Sequence, residues 1–176
     1  MKWLLVGLGN PTDEYEGSRH NVGADTLGAL EKKLPAQAKV AKLNVYMNNS
    51  GGPMRKRVPS KKAAERLLVV HDDLDLPLGT LRLSFGSGSG GHRGVESVIK
   101  ALGTKDFARL RIGISPATPS GKVKKPDSAK IVDFVLGQFR PPEREKLKKV
   151  RSQALKGIEL LVEEGLERAM TEVNAR

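Results

Sequence analysis

A chain of 176 residues has the size of one domain, and folding at that length buries roughly 70% of the extended chain's surface, enough for stability without covalent staples. It contains no cysteine, which excludes a disulfide framework and thiolate metal sites and fits a reducing compartment. With 31 Lys and Arg against 20 Asp and Glu, the net charge of +11 suits a polyanionic partner, nucleic acid or an anionic membrane surface, while 4% aromatic residues argue against binding by serial base stacking.

In chain order, the apolar run Trp3–Val6 is expected to be a buried strand. It resembles a short signal sequence for a few residues but is not expected to be one, because it runs into Asn10-Pro11-Thr12-Asp13-Glu14 without a small-residue cleavage site. Gly7-Leu8-Gly9 resembles the start of a dinucleotide fingerprint, but the third glycine is replaced by Thr12 and Pro11 intrudes. Residues 35–62 carry little periodic apolar signal and a basic cluster, Arg55-Lys56-Arg57 and Lys61-Lys62. A second apolar run, Leu67–Val70, reads as a strand, and looser alternation at Leu81–Phe85 and Leu110–Ile114 predicts two more. The glycine run Gly86 to Gly94 lacks the Gly-Lys-Ser/Thr ending of a triphosphate loop. Its glycines suit close backbone approach to a ligand, with a helix N-terminus just beyond. Val95, Val98, Ile99 and Leu102 form one buried helix face, and Ile131, Phe134 and Val135 do so over a shorter span. Leu147, Val150, Ala154, Ile158 and Leu161 keep that period over a long helix, opened by Pro141-Pro142 and closed by Gly165. Residues 116–128, rich in Pro, Ser, Gly and Lys, are expected to form a mobile lid loop. No stretch is long enough to span a bilayer.

Strands alternating with helices predict a single α/β domain over residues 1–176, with a mostly parallel or mixed twisted sheet and helices on both faces. Ligands in such folds bind at the carboxyl ends of the strands. All three histidines, His20, His71 and His92, fall where a strand ends or a helix begins, so the fold is expected to gather them at one edge. A zinc site is weighed against a His–Asp pair. The histidines come from separate loops without short-range ligand spacing, and no cysteine helps, so a metal-free site is expected. A neutral imidazole oriented by a carboxylate can take a proton from water. Gly-x-Ser-x-Gly occurs only inside the glycine run, which makes water rather than serine the expected nucleophile.

Together these segments resemble the bacterial-type peptidyl-tRNA hydrolase family over residues 3–140. The matching pieces are Val6-Gly7-Leu8-Gly9-Asn10-Pro11, Tyr15, Arg19-His20-Asn21, Tyr46-Met47-Asn48-Asn49-Ser50-Gly51, His71-Asp72-Asp73-Leu74-Asp75-Leu76-Pro77, Gly90-Gly91-His92-Arg93-Gly94, Arg109-Leu110-Arg111-Ile112-Gly113-Ile114 and Val135-Leu136-Gly137. The resemblance implies hydrolysis of the ester joining a peptide to the 3′ end of tRNA. It implies His20 as the base that activates water, Asp72 as its orienting carboxylate, and Asn10 and Asn48 as amides that position water and the peptide carbonyl. Tyr15 and His92 are then substrate-binding cleft residues, and Arg111 a phosphate-binding residue on the tRNA side. Lys100 and Lys105 join Arg111 as tRNA candidates on charge, with Lys122, Lys124 and Lys125 of the loop as further ones.

Three departures from the family stand out. Arg93 replaces the asparagine after the Gly-Gly-His motif, losing an acceptor and offering the substrate a phosphate contact instead. The segment between His20 and Asn48 is shorter than the family's, so a strand pair is expected to be missing and the sheet to be smaller. The basic Arg55–Pro59 stretch is expected to be a loop where the family has an amphipathic helix. The expected protein is a monomeric, cytoplasmic esterase without metal or organic cofactor, its partner tRNA and not a membrane; an organellar location stays open. Two readings compete: a non-catalytic RNA-binding relative of the same fold, like those of organelle splicing, and a nucleotide-binding domain.

Overall fold

The first strand, β1 (Trp3–Gly7), sends alternate side chains to opposite sides of a sheet, and that alternation organises the domain. The computed structural model describes residues 2–175; Met1 and Arg176, the ends of the expected domain, lie outside the described residues. After β1 come two short 3₁₀ turns (Asp13–Tyr15 and Arg19–Asn21), α1 (Val22–Leu30), β2 (Ala38–Val40), a 3₁₀ turn (Met47–Asn49), α2 (Gly51–Arg57) and α3 (Lys61–Ala64). Then follow β3 (Leu67–Pro77), β4 (Leu81–Phe85), α4 (Arg93–Leu102), β5 (Ala108–Ser115), α5 (Ile131–Leu136), α6 (Pro141–Glu163) and α7 (Leu166–Asn174). The strand order is β2-β1-β3-β5-β4, parallel except that β4 runs antiparallel to β5.

Trp3, Leu5, Leu68, Val70, Leu110 and Ile112 face one apolar layer with α1, α5, α6 and α7. Val6, Leu67, Val69 and Phe107 face the other, with Met54 of α2, Ala64 of α3 and Val95 and Val98 of α4. Helices thus cover both faces of a mixed sheet, forming a single α/β domain as expected. Among the described residues no helix is long and apolar enough to cross a membrane.

Two boundaries differ from expectation. β3 does not end at Val70. Pairing with β5 continues through His71↔Arg111, Asp72↔Ile112 and Asp73↔Gly113, so the polar residues after the apolar run extend the strand past the layer that hid its first half. The stretch Arg55–Pro59 is not a loop throughout, because Arg55, Lys56 and Arg57 form the last turn of α2. Met54 is its fully buried anchor, contributing about 1.5–3 kcal/mol. Gly51 lets α2 press on α4, since a Cβ there would lie 2.1 Å from the Ser97 carbonyl oxygen. Two contacts sufficed for a helix whose other faces are polar. Between α1 and the Met47 turn the short segment forms one three-residue strand, β2.

The loop at 116–128 folds back on itself through a bridge between Ala117 and Val123. Lys125 ties it to Asp75 near the end of β3.

Candidate active site

The carboxyl ends of β1 and β3 and the first residues of α1 and α4 meet at one edge of the sheet. Close packing brings α1 there: a Cβ on Gly23 would lie 2.1 Å from the Val70 carbonyl oxygen, so only glycine lets the helix start directly on β3. The preceding 3₁₀ turn is held from beneath by Arg19. Its guanidinium lies 4.4 Å from the Phe134 ring centroid, donates to the Phe134 carbonyl at 3.2 Å and pairs with Glu143 at 3.2 Å. From the side, Asn21 locks the turn to the β1 loop by two bonds: Asn10 N–H donates to Asn21 Oδ1 at 2.8 Å, and Asn21 Nδ2 donates to the Asn10 carbonyl at 2.9 Å. His20, between Arg19 and Asn21, therefore has a fixed position.

His20 Nδ1 lies 2.8 Å from Asp72 Oδ2, and His92 Nε2 lies 2.7 Å from Asp72 Oδ1, so one carboxylate bridges two imidazoles. The backbone settles the His92 tautomer. Its Nδ1 accepts the Val95 N–H at 3.2 Å as the cap of α4, which leaves the proton on Nε2 to donate to Asp72. His20 donates through Nδ1, so its Nε2 carries the lone pair, and that atom makes no hydrogen bond among the described residues. Burial disfavours the Asp72 charge. The imidazole of His92 beside it and the hydrogen bonds from both rings nevertheless hold its pKa well below the usual carboxylate range. The result is a carboxylate that stays charged, holds the His20 ring in place and is itself 2% exposed.

Beneath this pair lies a second layer that sequence reasoning did not assign. His71 is 1% exposed, donates from Nδ1 to the Asp72 carbonyl at 2.7 Å, and has its Nε2 3.1 Å from Nη1 of Arg109. Burial first, then the neighbouring His92 and Arg109, push its pKa well below that of a free imidazole, so it is neutral. Nη2 of Arg109 donates to Ser87 Oγ and to the Gly88 carbonyl, each at 2.6 Å, which fixes the glycine run that delivers His92. His71, Arg109 and Asn21 all stood within quoted motifs. Their signal was the mixture of polar residues with an apolar strand pattern, which marks a buried polar network only once partners are known.

The remaining candidates divide between cleft and periphery. Asn10 Oδ1 accepts the Met47 N–H at 2.8 Å, which draws the Met47–Asn49 turn, and exposed Asn48 within it, to the end of β1. The Asn10 amide nitrogen is then directed away from that bond. Tyr15 packs edge-on against Tyr46, ring centroids 6.5 Å apart, at the rim. Arg93, the first residue of α4, is exposed beside His92. Arg111 lies on β5 with its Nε donating to Asp73 Oδ2 at 2.7 Å. Lys100 and Lys105 sit at the far end of α4 and in the loop entering β5, the edge of the sheet opposite His20. Lys122 and Lys124 are exposed on the 116–128 loop.

His20, Asp72 and His92 are also a group that could hold a metal ion, their ligating atoms lying within 4.8 Å of one another. In the geometry seen, both ring nitrogens spend their protons on the carboxylate, so an ion would have to displace two hydrogen bonds. The arrangement suits proton transfer: a ring held by a carboxylate at the same edge of the sheet as Asn10 and the Asn48 turn.

The sequence pattern of the peptidyl-tRNA hydrolases matches residues 4–176. The chain is 40% identical over 191 residues to the peptidyl-tRNA hydrolase of Aquifex aeolicus, covering 97% of this chain and 95% of that one. It is likewise 40% identical over 195 residues to that of Mycobacterium tuberculosis, covering 98% and 97%. Among solved structures it is similar to a peptidyl-tRNA hydrolase from Acinetobacter baumannii, with a TM-score of 0.81 and 29% identity over 99% of this chain and 95% of that one.

Proposed function

The chain belongs to the peptidyl-tRNA hydrolase family, and we propose that it hydrolyses the ester between a peptide and the 3′ end of tRNA, with His20 as general base. The observation that carries this reading is the 2.8 Å contact between His20 Nδ1 and Asp72, which points the basic Nε2 away from the carboxylate. A water held against Nε2 gives up its proton as its oxygen attacks the ester carbonyl. The imidazolium that forms is stabilised by Asp72, and it returns the proton to the ribose oxygen as the tetrahedral intermediate collapses, releasing peptide and tRNA. A base of this kind supplies about 10²–10⁴-fold; the rest comes from orientation and from hydrogen bonds to the developing oxyanion.

Asn10 and Asn48 supply the amides. Asn10 is immobilised through Met47 and Asn21, so its amide can bind substrate at little entropic cost. Tyr15, His92 and Arg93 border the peptide and the terminal nucleotide, Arg93 adding a cation where the family has an amide. Arg111, with Lys100 and Lys105, serves the tRNA phosphates. The 116–128 loop, tethered through Lys125 to Asp75, acts as a lid. The same reading takes the enzyme to act as a monomer. It needs neither metal nor organic cofactor, and its place is the cytoplasm.

The non-catalytic RNA-binding alternative is not favoured, because His20, Asp72, Asn10 and the Asn48 turn are all retained and meet at one edge. Turnover of a peptidyl-tRNA with and without His20→Ala tests the reading. An intact His20→Ala protein that hydrolyses at the rate of the unmodified chain rules out His20 as the base.

A further inference from the structure

The basic run Arg55-Lys56-Arg57 and Lys61-Lys62 takes no part in the chemistry above. Residues 32–64 contain nine Lys and Arg (Lys32, Lys33, Lys39, Lys42 and these five) and no Asp or Glu. The five are all exposed, in the last turn of α2 and the first turn of α3. Among the described residues none of them pairs with a carboxylate. Arg55 Nε donates to the Ala101 carbonyl at 3.0 Å, and Arg57 donates to the Pro53 and Lys42 carbonyls. Some cations elsewhere do pair: Lys148 with Glu145, and Arg168 with Glu164 and Glu172.

Helix electrostatics explains part of the cluster and leaves the rest. Cations in the last turn of α2 are favoured by the helix dipole, and Arg55 also satisfies a carbonyl at the end of α4. Lys61 and Lys62 gain little of the kind, since α3 is a single turn of four residues whose two ends coincide. Like charges held close without counter-charges work against folding, so their retention fits a use outside the fold.

The cluster is also aimed. Gly51 N–H donates to Ser97 Oγ and Arg55 to Ala101, four residues further along each helix, so α2 and α4 run side by side in the same direction. Both start at the cleft, α2 just after the Asn48 turn and α4 at His92. Both end in cations, joining the five to Lys100 and Lys105. At 1.5 Å per residue, Arg55 is about 10 Å from Asn48.

We infer that the exposed face made by the ends of α2 and α4 and the start of α3 is a docking surface for the phosphate backbone of the tRNA arm whose 3′ end occupies the cleft. This rests on the hydrolase reading. Flexible lysine stems and the absence of stacked aromatics fit contact with backbone rather than bases.

The test uses the triple variant Lys56→Ala/Lys61→Ala/Lys62→Ala, sparing the two arginines that bond to backbone. A second triple, Lys146→Ala/Lys148→Ala/Lys149→Ala on α6, is the control. Fluorescence anisotropy with deacylated tRNA measures Kd across salt concentrations; turnover is measured on peptidyl-tRNA and on a short ester carrying only the 3′-terminal nucleotides. The expected result is a Kd weakened about tenfold near 0.1 M salt and a log–log salt slope shallower by about 2, since each lost phosphate contact removes roughly 0.7–0.9. KM for peptidyl-tRNA rises while kcat on the short ester holds, and a Lys→Arg version of the triple restores binding. Unchanged tRNA affinity and slope, an equal loss in the α6 control, or binding of the unmodified chain to phosphatidylserine vesicles in preference to tRNA overturns the inference. The hydrolase reading fails separately, if the unmodified chain cleaves neither ester.

Discussion

The cleft and the basic face treat charge in opposite ways. At the cleft a carboxylate is buried between two imidazoles at 2.7 and 2.8 Å, with both ring protons committed to it and only the His20 Nε2 lone pair left over. On the basic face, cations stand in solvent with no carboxylate among residues 32–64. Proton transfer requires atoms fixed to fractions of an ångström, so its residues respond to tautomer and pH and little to salt. Attraction of a polyanion acts over a Debye length of about 10 Å at 0.1 M salt, tolerates flexible stems, and is erased by salt.

The largest expected effect separates the two regions outright. His20→Ala lowers kcat by about 10²–10⁴-fold, while the Kd for deacylated tRNA, measured by anisotropy, stays within about twofold because charge is untouched. A parallel loss of tRNA affinity breaks the division.

Asp72→Asn sharpens it further. An asparagine offers one acceptor and one amino group where two imidazole N–H groups now donate. His92 cannot change tautomer, because Nδ1 is committed to Val95, so it takes the oxygen. The amide NH₂ then faces His20 Nδ1, which drives the His20 proton onto Nε2 and removes the lone pair from the groove. The expected loss approaches that of His20→Ala, about 10²–10⁴-fold in kcat, from the wrong tautomer in an intact fold. Stability has its own sign. Since the folded pKa of Asp72 lies below its unfolded value near 3.9, the contribution is complete above about pH 4 and is lost as pH falls through the folded value. Denaturant midpoints of the two proteins should therefore differ at pH 6 and converge under acid. A gap that widens as pH drops contradicts this.

Raising salt from 50 to 200 mM should lower kcat/KM on peptidyl-tRNA by at least about tenfold, the loss that two or three phosphate contacts alone produce, and leave a short ester nearly unaffected. Equal salt sensitivity for both substrates would place the basic face outside recognition.

The smallest effect concerns the layer between. Arg109→Met keeps the volume but removes the bonds to His71, Ser87 and Gly88, at a cost of about 1–3 kcal/mol of stability by chemical denaturation. It should lower kcat only several-fold, by loosening the loop that carries His92. A loss as large as that of His20→Ala would make Arg109 part of the chemistry.

Much of this molecule could be read from its residues. Trp3–Val6 and Leu67–Val70 announced buried parallel strands because both faces of such strands are apolar. The α6 helix was visible from Pro141-Pro142 to Gly165 because its stripe and its ends agree. Short pieces were harder. α2 rests on Met54 and the close approach at Gly51, and neither stands out in a basic heptapeptide. The continuation of β3 depends on hydrogen bonds to β5, which polar side chains such as His71 and Asp72 do not signal.

The residue types and their order along the chain therefore determined the α/β class, the family and the candidate base and carboxylate, because apolar periodicity and motif chemistry are local properties. Only the tertiary structure decided that Asp72 serves two histidines rather than one, that His71 lies neutral beneath them against Arg109, and that Lys100 and Lys105 sit at the edge away from the cleft. Those facts follow from strand register and helix direction. Hydrogen-bond geometry between segments 52 residues apart is set by packing and leaves no periodic trace in a sequence.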